Sequence, residues 1–287
     1  LNDYIKSFTK GFENFYGKFS SYVFLGLLPS YIEQKNSSLI FMVNELIQKS
    51  CHIESGFYLD NFKDLVQKIN FLESRGQKTI LMGVSFALLD LLEYHRFHLK
   101  NTLIMETGGM KGKRKEITRM ELHKILSEGF GCKKIHSEYG MTELLSQAYS
   151  KGNVIFKCPP WMKVITRSIE DPFELLKGEQ IGALNIIDLA NVDSCAFIAT
   201  QDLGKVYFDE SFENTPWTIY APFSESIPIF SSNFSKRGSV ECSKNSSDNF
   251  FKECQSLEQK LESYKFVVKD SYLERECSAY AVVEGRT

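Results

Sequence analysis

The 287-residue chain lacks an excess of charge of either sign: 34 Lys and Arg stand against 36 Asp and Glu, a formal charge of -2 with a sequence pI near 6.3. Without a basic field there is no global electrostatic footprint for nucleic acid or for an anionic membrane, so neither is expected as a partner. Long apolar runs are missing as well. The longest, residues 22–29 and 86–92, fall far short of the roughly 18 to 20 residues that cross a bilayer, and no membrane span is expected. No basic segment followed by an apolar run and a small-residue cleavage site opens the chain, so export is not expected. The chain begins at Leu1 rather than Met, and the expectation is that its true N-terminus lies upstream. Paired C-x-x-C spacing is also absent: seven cysteines, at 51, 132, 158, 195, 242, 254 and 277, are scattered and odd in number. That pattern fits reduced thiols in a cytoplasm rather than a disulfide framework or a zinc site. What is present is a composition near the globular average, 43% hydrophobic and 24% charged, in a chain long enough for one large domain or two modest ones.

The first two-thirds alternates short apolar runs with segments of helical period. Residues 22–28 read as a buried strand, broken by Pro29 and Ser30. After Ser37 or Ser38 as N-cap, Leu39, Met42, Val43, Leu46 and Ile47 follow the i, i+3, i+4 spacing of an amphipathic helix; Phe62, Leu65, Val66, Ile69 and Leu72 repeat it. Further strands read at 78–84, 101–106 and 134–137, with helices at 85–94 and 116–128 between them. The second of these helices is expected to turn Ile117, Met120, Ile125 and Leu126 inward and to end at Gly129 and Gly131. Strands joined by single helices form βαβ units, so the fold class is α/β, a mostly parallel sheet flanked by helices with sites at the strands' carboxyl ends. After Tyr149 a short β-rich segment follows, with strands at 154–156, 163–166, 183–188 and 195–200. The C-terminal tail is irregular: nine serines in the 24 positions 224–247 read as a surface loop or linker, and 255–264 as a short polar helix. The domain division is therefore 1–213 and 214–287, and there is no internal repeat.

Three segments could carry chemistry. In Ser137-Glu138-Tyr139-Gly140-Met141-Thr142-Glu143 a strand runs into a tight glycine turn that presents a ring, a hydroxyl and a carboxylate. That set suits a nucleotide, the ring stacking on a base, the hydroxyl bonding a phosphate oxygen and the carboxylate holding Mg2+. An ordinary strand-to-helix turn with Thr142 as N-cap is the other reading. In Glu106-Thr107-Gly108-Gly109-Met110-Lys111-Gly112-Lys113-Arg114-Lys115 the glycine spacing and Arg114 exclude a Walker A loop. The paired glycines would still let a ligand approach the backbone, and the basic run reads as a solvated loop or a phosphate patch. Thr200-Gln201-Asp202-Leu203-Gly204 sets a carboxylate at a strand end beside a glycine turn. Taken by itself it is a turn, and a carboxylate there can also chelate the hydroxyls of a ribose.

In this order the three segments resemble the nucleotide motifs of the adenylate-forming superfamily, which includes acyl-CoA synthetases, luciferases and nonribosomal adenylation domains. Tyr139-Gly140-Met141-Thr142-Glu143 is similar to its Tyr-Gly-x-Thr-Glu motif, Gly108-Gly109 to its adenine-contacting pair, and Thr200 to Gly204 to its Thr-Gly-Asp-Leu-Gly motif, with Gln201 in place of the first glycine. Leu27-Leu28-Pro29-Ser30-Tyr31, Glu106 to Gly112, His136 to Glu143 and Ile187-Asp188-Leu189-Ala190 further resemble the LuxE-type acyl-protein synthetases. The resemblance covers about residues 1–213. It implies that Tyr139 packs on adenine with Gly108, Gly109 and Gly140 lining the nucleotide, that Thr142 touches the α-phosphate, that Glu143 binds Mg2+, and that Asp202 holds the ribose. Thr142 and Glu143 would be the catalytic pair, ATP and Mg2+ the cofactors, a fatty acid or other carboxylate the substrate, and a protein thiol the acyl acceptor in a cytoplasmic acid-thiol ligase. The superfamily's pyrophosphate loop, expected upstream of Leu1, and its Gly-Arg-x-Asp hinge after Asp202 are not in the sequence; Phe212 to Trp217 stands where the hinge would be.

Other reactive residues are assigned bland roles. His136 reads as a packed, hydrogen-bonded core residue, His95 and His98 as surface residues, and Cys195 as part of a buried strand, so no nucleophilic thiol is assigned. Two further functions fit the same residues: an aryl- or acyl-CoA ligase of the phenylacetate-CoA ligase type, and a non-catalytic remnant whose sheet serves as a binding module.

Overall fold

The structure, a computed structural model, describes residues 1–29, 37–110, 113–115 and 117–215. The serine-rich stretch, the helix read at 255–264, Cys242, Cys254, Cys277, Ser30, Tyr31, Lys111 and Gly112 lie outside them.

Eleven strands form one sheet in the order β2-β1-β3-β4-β5-β6-β7-β11-β10-β9-β8. Its first half comprises β1 (Val23–Leu27), β2 (Gly56–Tyr58), β3 (Thr79–Val84), β4 (Thr102–Thr107) and β5 (Ile135–Tyr139), all parallel. The helices that connect them are α2 (Ser38–Ser50), α3 (Phe62–Ser74), α4 (Ser85–Tyr94) and α5 (Arg119–Phe130). β1 and β3 are buried at every position, as strands covered on both faces must be. The α/β class read from the sequence holds, and its helix boundaries follow local chemistry. Ser37 caps α2 by accepting from the Ile40 amide, and Thr118 with Glu121 forms a capping box on α5.

Three expectations are corrected. α5 starts at Arg119 and buries Leu122, Leu126 and Phe130 rather than Met120 and Ile125, which are 71% and 43% exposed; the capping box sets the helix phase. Residues 2–16, to which the sequence reading gives no element, form α1 (Asn2–Tyr16), with Tyr4, Phe8 and Phe12 about one turn apart on its buried face. Cys195 is exposed and precedes the strand it was expected to join.

From β5 onward the sheet turns antiparallel through β6 (Ala148–Ser150), β7 (Phe156–Lys157), β8 (Met162–Arg167), β9 (Ile181–Asp188), β10 (Phe197–Val206) and β11 (Phe212–Thr215). The β-rich segment thus extends the same sheet, and β11 crosses the 213/214 boundary. The parallel half packs around Phe8, Phe12, Phe24, Leu46, Ile80, Leu88 and Phe130. A second apolar cluster, with Tyr139, Phe156, Leu184 and Phe212 among its members, fills the antiparallel half. No described helix is long and apolar enough to cross a membrane.

Candidate functional site

β4 and β5 run side by side, with Glu106 opposite Ser137. Their carboxyl ends therefore deliver Gly108-Gly109 and Tyr139-Gly140 to the same edge, where open α/β sheets bind ligands. Gly108 needs its glycine, at φ 60°, and its carbonyl accepts the Ser85 hydroxyl at 2.7 Å.

The 200–204 segment is corrected from a turn to the middle of β10, at an irregularity of register between Ala199 and Leu203. The break in pairing frees Asp202 to reach across to β5. Its Oδ2 accepts the Tyr139 hydroxyl at 2.7 Å and the Asn214 amide at 3.3 Å. Both bonds fall on one oxygen, and Oδ1 has no donor among the described residues. Burial raises the Asp202 carboxyl above its ordinary range, while the Tyr139 bond and the Arg119 charge oppose the rise. The Tyr139 phenol is pushed far up by burial and by Asp202. Its ring is 6% exposed, edge-on to Phe156 and Phe212 at 5.8 and 5.4 Å.

No helix follows Thr142, so its N-cap reading falls; β5 runs instead through a turn into antiparallel β6. Thr142 and Glu143 are exposed, and the Glu143 carboxylate has no hydrogen-bond or ion-pair partner among the described residues. One free carboxylate suits a Mg2+ ion whose other ligands are phosphate oxygens and water. No group of three His, Cys, Asp or Glu among the described residues is placed to hold a metal by itself.

The turn that carries these two residues is pinned from below. Asp188, fully buried, accepts the Leu145 and Ser146 amides at 2.9 Å each, the Ser146 hydroxyl at 2.6 Å and the Ala190 amide at 3.1 Å. Ser146 is in turn bonded by Ser7 of α1 and by the Trp161 indole, both at 2.9 Å. Asn191 donates to the Glu143 carbonyl at 3.0 Å. The Ile187 to Ala190 segment thus fixes the loop after Tyr139.

Sequence reasoning missed a polar cluster beneath the glycines. Glu106, 1% exposed, pairs with Arg119 Nε at 2.9 Å and lies 3.4 Å from His123 Nε2, which also bonds Ser137 Oγ at 3.0 Å. Burial would raise the Glu106 carboxyl, but Arg119 and His123 outweigh it and hold it below its ordinary value. The signal was available: Thr118-x-x-Glu121 places Arg119 and His123 one turn apart at the start of α5. On the other face of the sheet Glu138 bonds the Thr107 hydroxyl and is raised to about 7, chiefly by burial. His136 is packed as expected, 3.2 Å from the Tyr16 hydroxyl and lowered to about 4 by burial and by Lys151. Cys158 is pushed up to about 12 by burial, an inert thiol. A surface groove of about 660 Å³ beside α4 and α5, lined in part by Leu92, Arg96 and Ile125, contains none of the predicted site residues.

No family model and no curated protein matches the chain. Solved structures do. ATP-bound MatB from Rhodopseudomonas palustris aligns with a TM-score of 0.56 at 15% identity over 74% of this chain and 43% of that one. McyG A-PCP complexed with phenylalanyl-adenylate aligns at 0.52 and 15%, over 75% and 43%. A double mutant of o-succinylbenzoate CoA synthetase (MenE) from Bacillus subtilis, bound with a product analogue, aligns at 0.51 and 16%, over 74% and 44%. These likenesses are of fold, and the chain spans less than half the length of each.

Proposed function

We propose that this chain is part of an adenylate-forming ligase that activates a fatty acid with ATP in the cytoplasm and transfers the acyl group to a thiol of an acceptor protein. The observation that carries the reading is the bond between Tyr139 and Asp202, which joins two segments 63 residues apart at the edge where Gly108-Gly109 also ends. Supporting it are Asp202 Oδ1, which has no donor among the described residues and is suited to a ribose hydroxyl, and the exposed Thr142 and Glu143 side chains, without partners among the described residues and suited to phosphate. Residues 1–213 are proposed as the adenylating domain, with β11 carrying its sheet on to Thr215, and the remainder of 214–287 as a separate region.

In the proposed reaction a carboxylate oxygen attacks the α-phosphorus of ATP and the bond to pyrophosphate breaks, its electron pair leaving with pyrophosphate. A thiolate then attacks the acyl carbon and AMP leaves. The chain's residues align and donate: Asp202 and the glycines hold the nucleoside, and the Thr142 hydroxyl donates to the α-phosphate, where charge builds. Mg2+ held by Glu143 would offset that charge.

The test is carboxylate-dependent exchange of radiolabelled pyrophosphate into ATP over fatty and aromatic acids. Exchange with fatty acids, and label ending on a protein, is expected. In Glu143→Ala the exchange rate should fall at least about tenfold with ATP affinity little changed, because the interaction strengthens in the transition state. The likeness to a CoA synthetase favours a second reading in which coenzyme A is the acceptor, and label ending on CoA selects it. Adenylate binding without exchange by any acid would leave a binding module.

A further inference from the structure

Arg119 is held on two sides. Its Nε is paired with buried Glu106 at 2.9 Å, and its guanidinium carbon lies 5.0 Å over the Phe156 ring. The same Phe156 ring meets the Tyr139 ring at 5.8 Å, and the Tyr139 hydroxyl bonds Asp202. Arg119, Phe156, Tyr139 and Asp202 therefore form one continuous row of contacts. Within it Arg119 Nη1 is shielded from water and has no acceptor among the described residues. A buried guanidinium N–H without a partner is costly, and a side chain fixed by an ion pair and a ring cannot turn away to find one. A ligand acceptor that displaced the groups shielding it would satisfy it.

The position of the row selects the acceptor. Through Phe156 and Tyr139 the row leads from Arg119 to Asp202, the nucleoside end of the site, whereas Thr142 and Glu143 stand at its exposed end. Asp202 Oδ1 can only accept; Arg119 Nη1 can only donate. A cis-diol offers both complements, a hydroxyl hydrogen to the carboxylate and an oxygen lone pair to the guanidinium.

We propose that Arg119 is a nucleotide-contacting residue that donates through Nη1 to the ribose of the bound adenylate and, paired with Asp202, recognises the vicinal hydroxyls. This rests on the adenylate reading above.

The experiment is calorimetric titration of the full chain with AMP and with 2′,3′-dideoxy-AMP. Wild type should prefer AMP by tens of fold. Glu106→Gln combined with Arg119→Met removes the ion pair as a unit, leaving no buried charge alone, and should cut the preference to a few-fold while the dideoxy ligand binds as before. Glu106→Gln alone should keep the preference. Arg119→Lys, which retains a cation for Glu106 but lacks the Nη1 donor, is read in the same way if the double variant does not fold. An undiminished preference in a folded Arg119 variant overturns the inference and leaves the adenylate reading standing. Absence of AMP binding by wild type overturns both.

Discussion

The Tyr139 hydroxyl donates to Asp202 Oδ2 at 2.7 Å across 63 residues of sequence, so two segments that read as separate motifs are one structural unit. Tyr139→Phe leaves a carboxylate of intermediate exposure whose remaining donor among the described residues is the more distant Asn214 amide. Stability should drop by about 1 to 3 kcal/mol at pH 7 in urea denaturation. Because the lost bond favoured the ionised form, the Asp202 carboxyl should rise further, and nucleotide affinity should weaken more steeply as pH falls. A variant as stable as wild type would remove the bond from the structure.

Glu138 makes the fold pH-dependent. Burial raises its carboxyl to about 7, with the Thr107 bond opposing and Glu106 adding to the rise. The folded state therefore holds this proton more tightly than the unfolded chain, whose ordinary value is 4.5. Its contribution is complete below that value and is lost as pH climbs to about 7. Glu138→Gln should flatten this slope and gain roughly 1 to 3 kcal/mol over wild type at pH 8. Urea midpoints at pH 5, 6, 7 and 8 check it; parallel slopes for the two proteins would assign the effect to another group.

Gly204 is opposite Asn214 where β10 and β11 pair, and an added Cβ would lie 2.2 Å from the Glu213 carbonyl oxygen and 3.0 Å from a Leu184 methyl. Gly204→Ala should destabilise by about 3 kcal/mol or more and loosen Phe212 from the Tyr139 ring. Gly56→Ala in β2, where a Cβ meets nothing within 4 Å, is the control and should leave the melting temperature within a degree or two of wild type, since compatible Gly→Ala changes cost nothing. Equal melting temperatures for both variants would contradict the close strand approach.

Asp188 accepts from donors on both oxygens. Asp188→Asn sets an amide N–H against one of those donor pairs whichever way it is turned. A loss of about 2 to 4 kcal/mol is expected, read by denaturation. Hydrogen exchange should speed at the Leu145 and Ser146 amides before it does in β3. Unchanged protection there would show that the loop is held by other contacts.

The parallel half was legible because its rules are local. Ser37 before Leu39 and Met42, and the run from Thr79 to Val84 feeding Ser85, carry their helix and strand signals within a few residues, and the strand-helix rhythm then dictates parallel pairing with the glycine motifs at the carboxyl ends. α5 begins at Arg119 rather than at 116 because the capping box of Thr118 and Glu121 fixes its first turn, a signal that is also local. Tyr4, Phe8 and Phe12 of α1 have helical spacing, but Phe12 is buried against Phe24 and Tyr149, partners distant in sequence.

Capping, periodicity and turn chemistry act over one or two turns of chain, so local pattern encodes α2 to α5, most of the strands and the groups at their ends, but not α1, β2, β6 or β11. It takes the assembled fold to set Asp202 inside β10 rather than in a turn, to face Tyr139 towards it, to gather the amides of the Glu143 loop on Asp188, and to stand Arg119 between Glu106 and Phe156. Each of these relations depends on antiparallel register or on packing between segments tens of residues apart. Strand pairing and desolvation supply their free energy only once the whole sheet has assembled, and no local pattern in the chain encodes them.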